Sequence, residues 1–178
     1  GDIAKEIQVI LPLAQDGDPY YQYRLFVLYS MTPGSHSNET DGFKWIKKSA
    51  EQGYLPAYNL IGMAFNFGMG VLPDYNQALY WLKIGDEKGD KQSQRALAVM
   101  YEKGNGVLKD YKKAFLLHSK AAESEEINSM LRLGEMYCQG QGTQKNLSKS
   151  KYWLSLLFEK ISTWNVPDLK DYIRDLWK

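Results

Sequence analysis

Apolar and small residues fall at helical spacing along most of the chain, in short stretches closed by glycine. Ala57, Ile61, Ala64 and Phe65 form one such stripe, so the segment that starts at Pro56 has a single buried face. Proline suits the first turn of a helix, where its missing N–H costs nothing. Gly68 and Gly70 follow the stripe, where a helix end needs positive φ without a Cβ penalty. Asp74 then stands as the N-cap of a second helix, with Gln77 three residues on to complete a capping box. That helix carries Ala78, Trp81 and Leu82, and the whole of 50–89 reads as one helical hairpin.

The landmarks of this hairpin return every thirty-six residues. Gly53 maps to Gly17 and Gly89, Gly62 to Ala98 and Gly134, and Phe65 to Tyr29, Tyr101 and Tyr137. Gly68 and Gly70 become Gly104 and Gly106, then Gly140 and Gly142. Asp74 becomes Asp110 and Asn146, Ala78 becomes Ala114 and Ser150, and Trp81 becomes Trp45, Leu117 and Trp153. A period of this length signals a stacked repeat protein. A glycine inside a helix costs about 1 kcal/mol relative to alanine. Gly62 and Gly134 are therefore expected where two helices cross too closely for a side chain.

The pattern A-x-x-x-x-G-x-x-[FY]-x-x-G-x-G-V-x-x-D-[YF]-x-x-A-x-x-W, with A-E-Q-G before it, resembles the Sel-like repeat family, a relative of the tetratricopeptide repeat. The resemblance covers roughly residues 14–158 and is closest in the two central repeats. It implies an all-α fold, a right-handed α/α solenoid of helix–turn–helix units with helical ends. It also implies a scaffold or adaptor that binds other proteins. Some members of the family serve as immunity proteins that block a cognate toxin or lipase, which is the alternative reading, and a cell-envelope role is a further one. A cysteine-rich bacterial branch linked to β-lactam binding relies on a disulfide in each repeat. This chain has only Cys138, so that activity is not carried over.

Taken in order, residues 1–16 read as an N-terminal half-unit helix with Pro12 loosening its end. Repeats follow at 17–52, 53–88, 89–124 and 125–160, and a capping helix at 161–178, all in one domain. In the first repeat Phe26 replaces the small residue of Gly62. The turn after it departs further: Thr32 stands for the first glycine, Gly34 and Asn38 match Gly70 and Asp74, and Gly42 replaces the helix alanine. A longer, more mobile loop is expected there, with the helix restarting near Asp41 and His36 exposed to solvent. Lys109, Lys112 and Lys113 read as a solvated face, and His118 as a surface or boundary histidine. Glu125 stands where Gly53 and Gly89 stand, so that turn is expected to be built differently. The last helix is marked by Pro167 and Asp168 at its start and by Leu169, Tyr172, Ile173, Leu176 and Trp177 on one face.

Charge and chemistry narrow the function classes. Lysine plus arginine number 22 against 21 for aspartate plus glutamate, which gives no electrostatic reason to expect nucleic acid or an anionic membrane. No apolar run approaches the length needed to cross a bilayer. The chain opens on Gly1 rather than methionine, which suits a trimmed or mature form; the resemblance, many of whose bacterial members look exported, implies a periplasmic location, with a cytoplasmic one as the alternative. One cysteine excludes an intrachain disulfide and a multi-cysteine metal site. The two histidines lie in different repeats, and no HExxH, GxSxG, Cys-x-x-Cys or phosphate-loop motif is present. The reading is non-catalytic, with no cofactor and no metal.

Function is then expected on the first helices of the hairpins, here called A helices, which line the concave side of stacked α/α units. Three rows at the repeat step lie outside the packing stripe: Tyr23, Asn59, Arg95, Leu131; Val27, Met63, Val99, Glu135; and Ser30, Asn66, Glu102, Cys138. A neighbouring row, Gln22, Tyr58, Gln94, Met130, is expected to contribute from the rim. The expected partner-binding set is Tyr23, Val27, Tyr58, Asn59, Met63, Asn66, Arg95, Val99, Glu102, Leu131 and Glu135. Aromatic, methionine and arginine side chains in such rows match the composition of protein-binding surfaces.

Overall fold

A computed structural model describes residues 2–31 and 36–176, the side chains of 36–38 excepted. The described residues form ten helices and no strand. They are α1 (Asp2–Gln15), α2 (Pro19–Ser30), α3 (His36–Glu51), α4 (Leu55–Phe67), α5 (Tyr75–Glu87), α6 (Lys91–Lys103), α7 (Tyr111–Glu123), α8 (Ile127–Gln139), α9 (Leu147–Lys160) and α10 (Pro167–Leu176). The fold is an all-α repeat. The chain divides into two compact units, Gly1–Ser93 and Gln94–Lys178. Within the first, α1 packs on α2, α2 on α3, α3 on α4 and α4 on α5; within the second, α7 packs on α8, α8 on α9 and α9 on α10.

The second, or B, helices α5, α7 and α9 start in the same way. The Asp74 carboxylate accepts from the N–H groups of Asn76 and Gln77 at 2.9 and 3.1 Å, Asp110 does so for Lys112 and Lys113, and Asn146 for Lys149. The capping residue's own N–H points the other way. It donates to the carbonyl of the A-helix aromatic: Phe65 at 2.8 Å, Tyr101 at 2.9 Å and Tyr137 at 2.8 Å. Gln77 therefore has no N–H to receive, and the expected capping box is replaced by a tie between the two helices of the hairpin.

Two glycine rows do different work. A Cβ on Gly62 would lie 2.5 Å from Leu82 Cγ, and one on Gly134 2.7 Å from Leu154 Cγ, so close helix crossing is what these positions protect. Gly70 and Gly142 have φ of 71° and 68°, and a Cβ there would fall 2.0 Å from the carbonyl oxygens of Glu39 and Tyr111. They let the A-to-B turn rest on the backbone at the start of the preceding B helix. In the first repeat Gly42 lies against α2, where a Cβ would meet Tyr29 Cβ at 3.2 Å.

Two further expectations need correction. Helix α3 begins at His36 rather than near Asp41, with Glu39 in its first turn, where a carboxylate suits the positive end of the helix. The turn positions Thr32 and Gly34, the His36 side chain and Trp177 lie outside the described residues. The B-to-A turn at Glu125 keeps its geometry: Glu125 itself takes the left-handed conformation, φ 62°, that Gly17, Gly53 and Gly89 take elsewhere. Lys109, Lys112 and Lys113 are exposed, as expected, and the Lys113 ammonium lies over the Tyr101 ring at 5.2 Å, as that of Lys149 lies over Tyr137 at 5.5 Å.

The cores follow the helical stripes. In the first unit Phe26, Ile46, Ala50, Ala57, Tyr58, Ile61 and Ala64 form one cluster, and Ile10, Ala14, Leu25 and Leu28 form another under α1. In the second unit Met130, Leu133, Leu154, Leu157, Ile161 and Ile173 pack together, so α10 closes that core through Ile173. No described helix is long and apolar enough to cross a membrane.

Candidate partner-binding surface

The rim row is not a rim. Gln22, Tyr58, Gln94 and Met130 are all buried, and Tyr58 stacks on Trp81 with centroids 6.2 Å apart. Gln22 Nε2 donates to the Ala14 carbonyl, and Gln52 Nε2 donates to Gln22 Oε1 at 2.7 Å. The reason is register: in α4, α6 and α8 this row follows the small buried residues Ala57, Ser93 and Ser129 and shares their inward side. Asn59 is also buried, at 9% exposure. Tyr58 and Asn59 therefore belong to the interior, and the expectation that they face a partner is withdrawn.

The remaining members of the set are half-buried: Tyr23, Val27, Met63, Asn66, Arg95, Val99, Glu102, Leu131 and Glu135. Tyr23 lies edge-on to Tyr54 at 5.5 Å. In the second unit the charged members are occupied by contacts within the chain. Arg132 Nε donates to Glu102 Oε1 at 2.7 Å, its Nη1 to Glu135 Oε2 at 3.0 Å and its Nη2 to Gln141 Oε1 at 2.7 Å. Tyr172 on α10 donates to the other oxygen of Glu135 at 2.6 Å, and that hydrogen bond is the main reason its phenol is pushed up to about 12. Arg95 Nε sits 3.6 Å from Glu126 Oε1. A polar chain thus joins α6, α8 and α10.

His118 corrects the sequence reading most sharply. Only 2% exposed, it occupies the B-helix position held by Ile46, Leu82 and Leu154. Its Nδ1 lies 3.0 Å from Ser129 Oγ, and its Nε2 lies 3.7 Å from Glu102 Oε1. A neutral ring that accepts from the Ser129 hydroxyl at Nδ1 keeps its proton on Nε2, toward Glu102. Burial, then the charges of Arg132 and Arg95, lower the imidazole pKa to about 4. Glu102 does not reverse this, because Arg132 already holds the facing oxygen. Serine, histidine and glutamate in a row suggest a nucleophile with its base, but Ser129 is fully buried, so no substrate meets its hydroxyl.

A family profile for the Sel1 repeat matches residues 19–54, 55–90, 91–125 and 127–160. The chain belongs to the Sel1 repeat family. Among solved structures it is similar to c5321, a protective antigen present in uropathogenic Escherichia coli strains that displays an SLR fold. The identity is 30% and the TM-score 0.79, over 86% of this chain and 33% of that one. A Sel1 repeat protein from Oxalobacter formigenes shares the fold at TM-score 0.76 and 23% identity, over 88% of this chain and 62% of that one. Helicobacter pylori cysteine rich protein B gives TM-score 0.54 and 26% identity, over 71% and 93%. The chain thus spans a third of the c5321 structure and under two thirds of the Oxalobacter one. No curated protein sequence matches it. Sel1 repeats are generally a non-catalytic, protein-interaction fold.

Arg132, Tyr172, Glu126, Ser129 and His118 were missed as members of the polar chain. For His118 the signal existed, since the repeat step sets it in a row of aliphatic residues. For Arg132 and Tyr172 there was none, because their partners are fixed only by the stacking of helices.

Proposed function

We propose that this Sel1 repeat chain is a non-catalytic adaptor that holds a protein or peptide partner on the face of its A helices. The supporting observation is a contrast between registers. The row at Tyr58 is sealed, whereas Val27, Met63 and Val99 keep apolar side chains partly open to water on the same helices. Partly open apolar anchors flanked by polar groups suit a peptide or a partner helix. Glu102 and Glu135 serve to fix the A helices of the second unit rather than to contact the partner directly.

The test is a partner isolated from the native cell and then titrated against purified variants. Val27→Ser, Met63→Ser and Val99→Ser should each weaken the complex about tenfold, the effect of losing one buried anchor. Leu116→Ser, on the outward side of α7 where Leu116 is exposed, should leave it unchanged. Full affinity in all three A-helix variants would refute the reading. The same titration separates an adaptor from a dedicated blocker, since an immunity protein holds one secreted enzyme at nanomolar strength or better.

A further inference from the structure

The second unit contains a cleft of about 390 Å³ that includes none of Val27, Met63 and Val99 in its lining. Its walls are Cys138 at the end of α8, Lys145 in the turn, Leu147, Ser148 and Lys151 on the first turns of α9, and Leu176 at the end of α10. Residues 94–178 carry fourteen basic side chains against ten acidic ones, and none of those ten lines the cleft. Lys145 and Lys151 have no ion-pair partner among the described residues. Asp74 and Asp110 place a carboxylate at the start of α5 and α7. Position 146 is an asparagine whose Oδ1 is taken by the Lys149 N–H at 2.9 Å, so the cleft has no built-in counter-ion.

Two free ammonium groups beside two leucines select a ligand that is anionic and apolar within a few ångströms. A nucleic-acid strand would find neither a stacking ring nor a long basic track here. We propose that the cleft binds an acidic protein segment, seating one aliphatic side chain by Leu147 and Leu176 while its carboxylates pair with Lys145 and Lys151. Leu147 is about half exposed, so its burial would add to the charge-assisted contacts. Loss of this binding would leave the A-helix partner untouched, so the two readings can fail separately.

Cys138 is the chain's sole cysteine and lines the cleft, which makes its thiol a reporter. The rate of its modification by a thiol reagent is measured on the whole chain with and without a short peptide rich in Asp and Glu and carrying leucine. The same peptide with Asn and Gln in their place is the control. The acidic peptide should protect Cys138 and bind the Lys145→Gln/Lys151→Gln variant at least about tenfold more weakly, as loss of charged hydrogen bonds requires. The circular dichroism of that variant should match the parent, and added salt should weaken binding. Equal protection by the neutral peptide, by inorganic phosphate or by an oligonucleotide would overturn the proposal. So would unchanged affinity in the double-glutamine variant.

Discussion

His118 is neutral in the folded chain and titrates about 4, below the usual histidine value. Between about pH 6.5 and pH 4 the unfolded chain therefore binds the proton that the folded chain refuses. Stability contributed by the neutral ring is complete above that window and is lost as pH falls through it. The change is up to about 3 kcal/mol for a shift of this size. Denaturant melts at pH 7 and pH 4.5 should show it, and an imidazole that titrates normally by NMR would refute it. Glu125 offers the opposite test. A non-glycine residue in the left-handed region is strained by about 1 kcal/mol, and its ion pair with Lys160 is largely exposed, hence weak. Glu125→Gly should raise stability by roughly 0.5 kcal/mol or more in equilibrium unfolding; a clear loss would show that the turn is not strained. Both residues were visible in the sequence as breaks in a register. Glu125 stands in a row of glycines, and His118 stands in the row of Ile46, Leu82 and Leu154.

Helix pairs explain why the break at His118 is tolerated. Leucine at 82 and 154 comes with glycine at 62 and 134, because the leucine side chain fills the space of the missing Cβ. The third repeat has His118 with Ala98, and Ala98 is fully buried. Restoring leucine alone, His118→Leu, should overpack the crossing at a cost of about 1–3 kcal/mol. Adding Ala98→Gly should recover that loss and flatten the acid side of the stability profile, less about 1 kcal/mol for the Ser129 hydroxyl left without its partner. If the double variant is no better than the single one, the pairing of sizes is coincidental. Ile173 gives α10 its anchor: it is fully buried in the core of the second unit. Ile173→Ala should cost about 2–4 kcal/mol and release Tyr172 from Glu135, seen as a phenol that titrates nearer 10 than 12. Turns and caps were legible at this scale because Gly70 or Asp74 acts on backbone within a few residues. The bridge from Glu102 through Arg132 and Glu135 to Tyr172 was not, because it joins helices that become neighbours only on stacking.

At the scale of the whole chain the boundary between the compact units falls between Ser93 and Gln94, inside α6. The start of that helix is held from the first unit, where Asp90 accepts from the Ser93 N–H at 2.9 Å and from its hydroxyl at 2.6 Å. Its end is held in the second unit, where Glu102 receives Arg132. Melting of either set of repeats would remove a neighbour on which α6 packs. Repeat proteins gain their cooperativity from such nearest-neighbour terms. The chain is therefore expected to unfold as one domain, with far-ultraviolet circular dichroism and tryptophan fluorescence tracing a single transition. Those probes are well placed, since Trp45 and Trp81 report on the first unit and Trp153 and Trp164 on the second. Two resolved transitions, or fluorescence that changes while half of the helical signal persists, would mean that the repeats fold as separate halves.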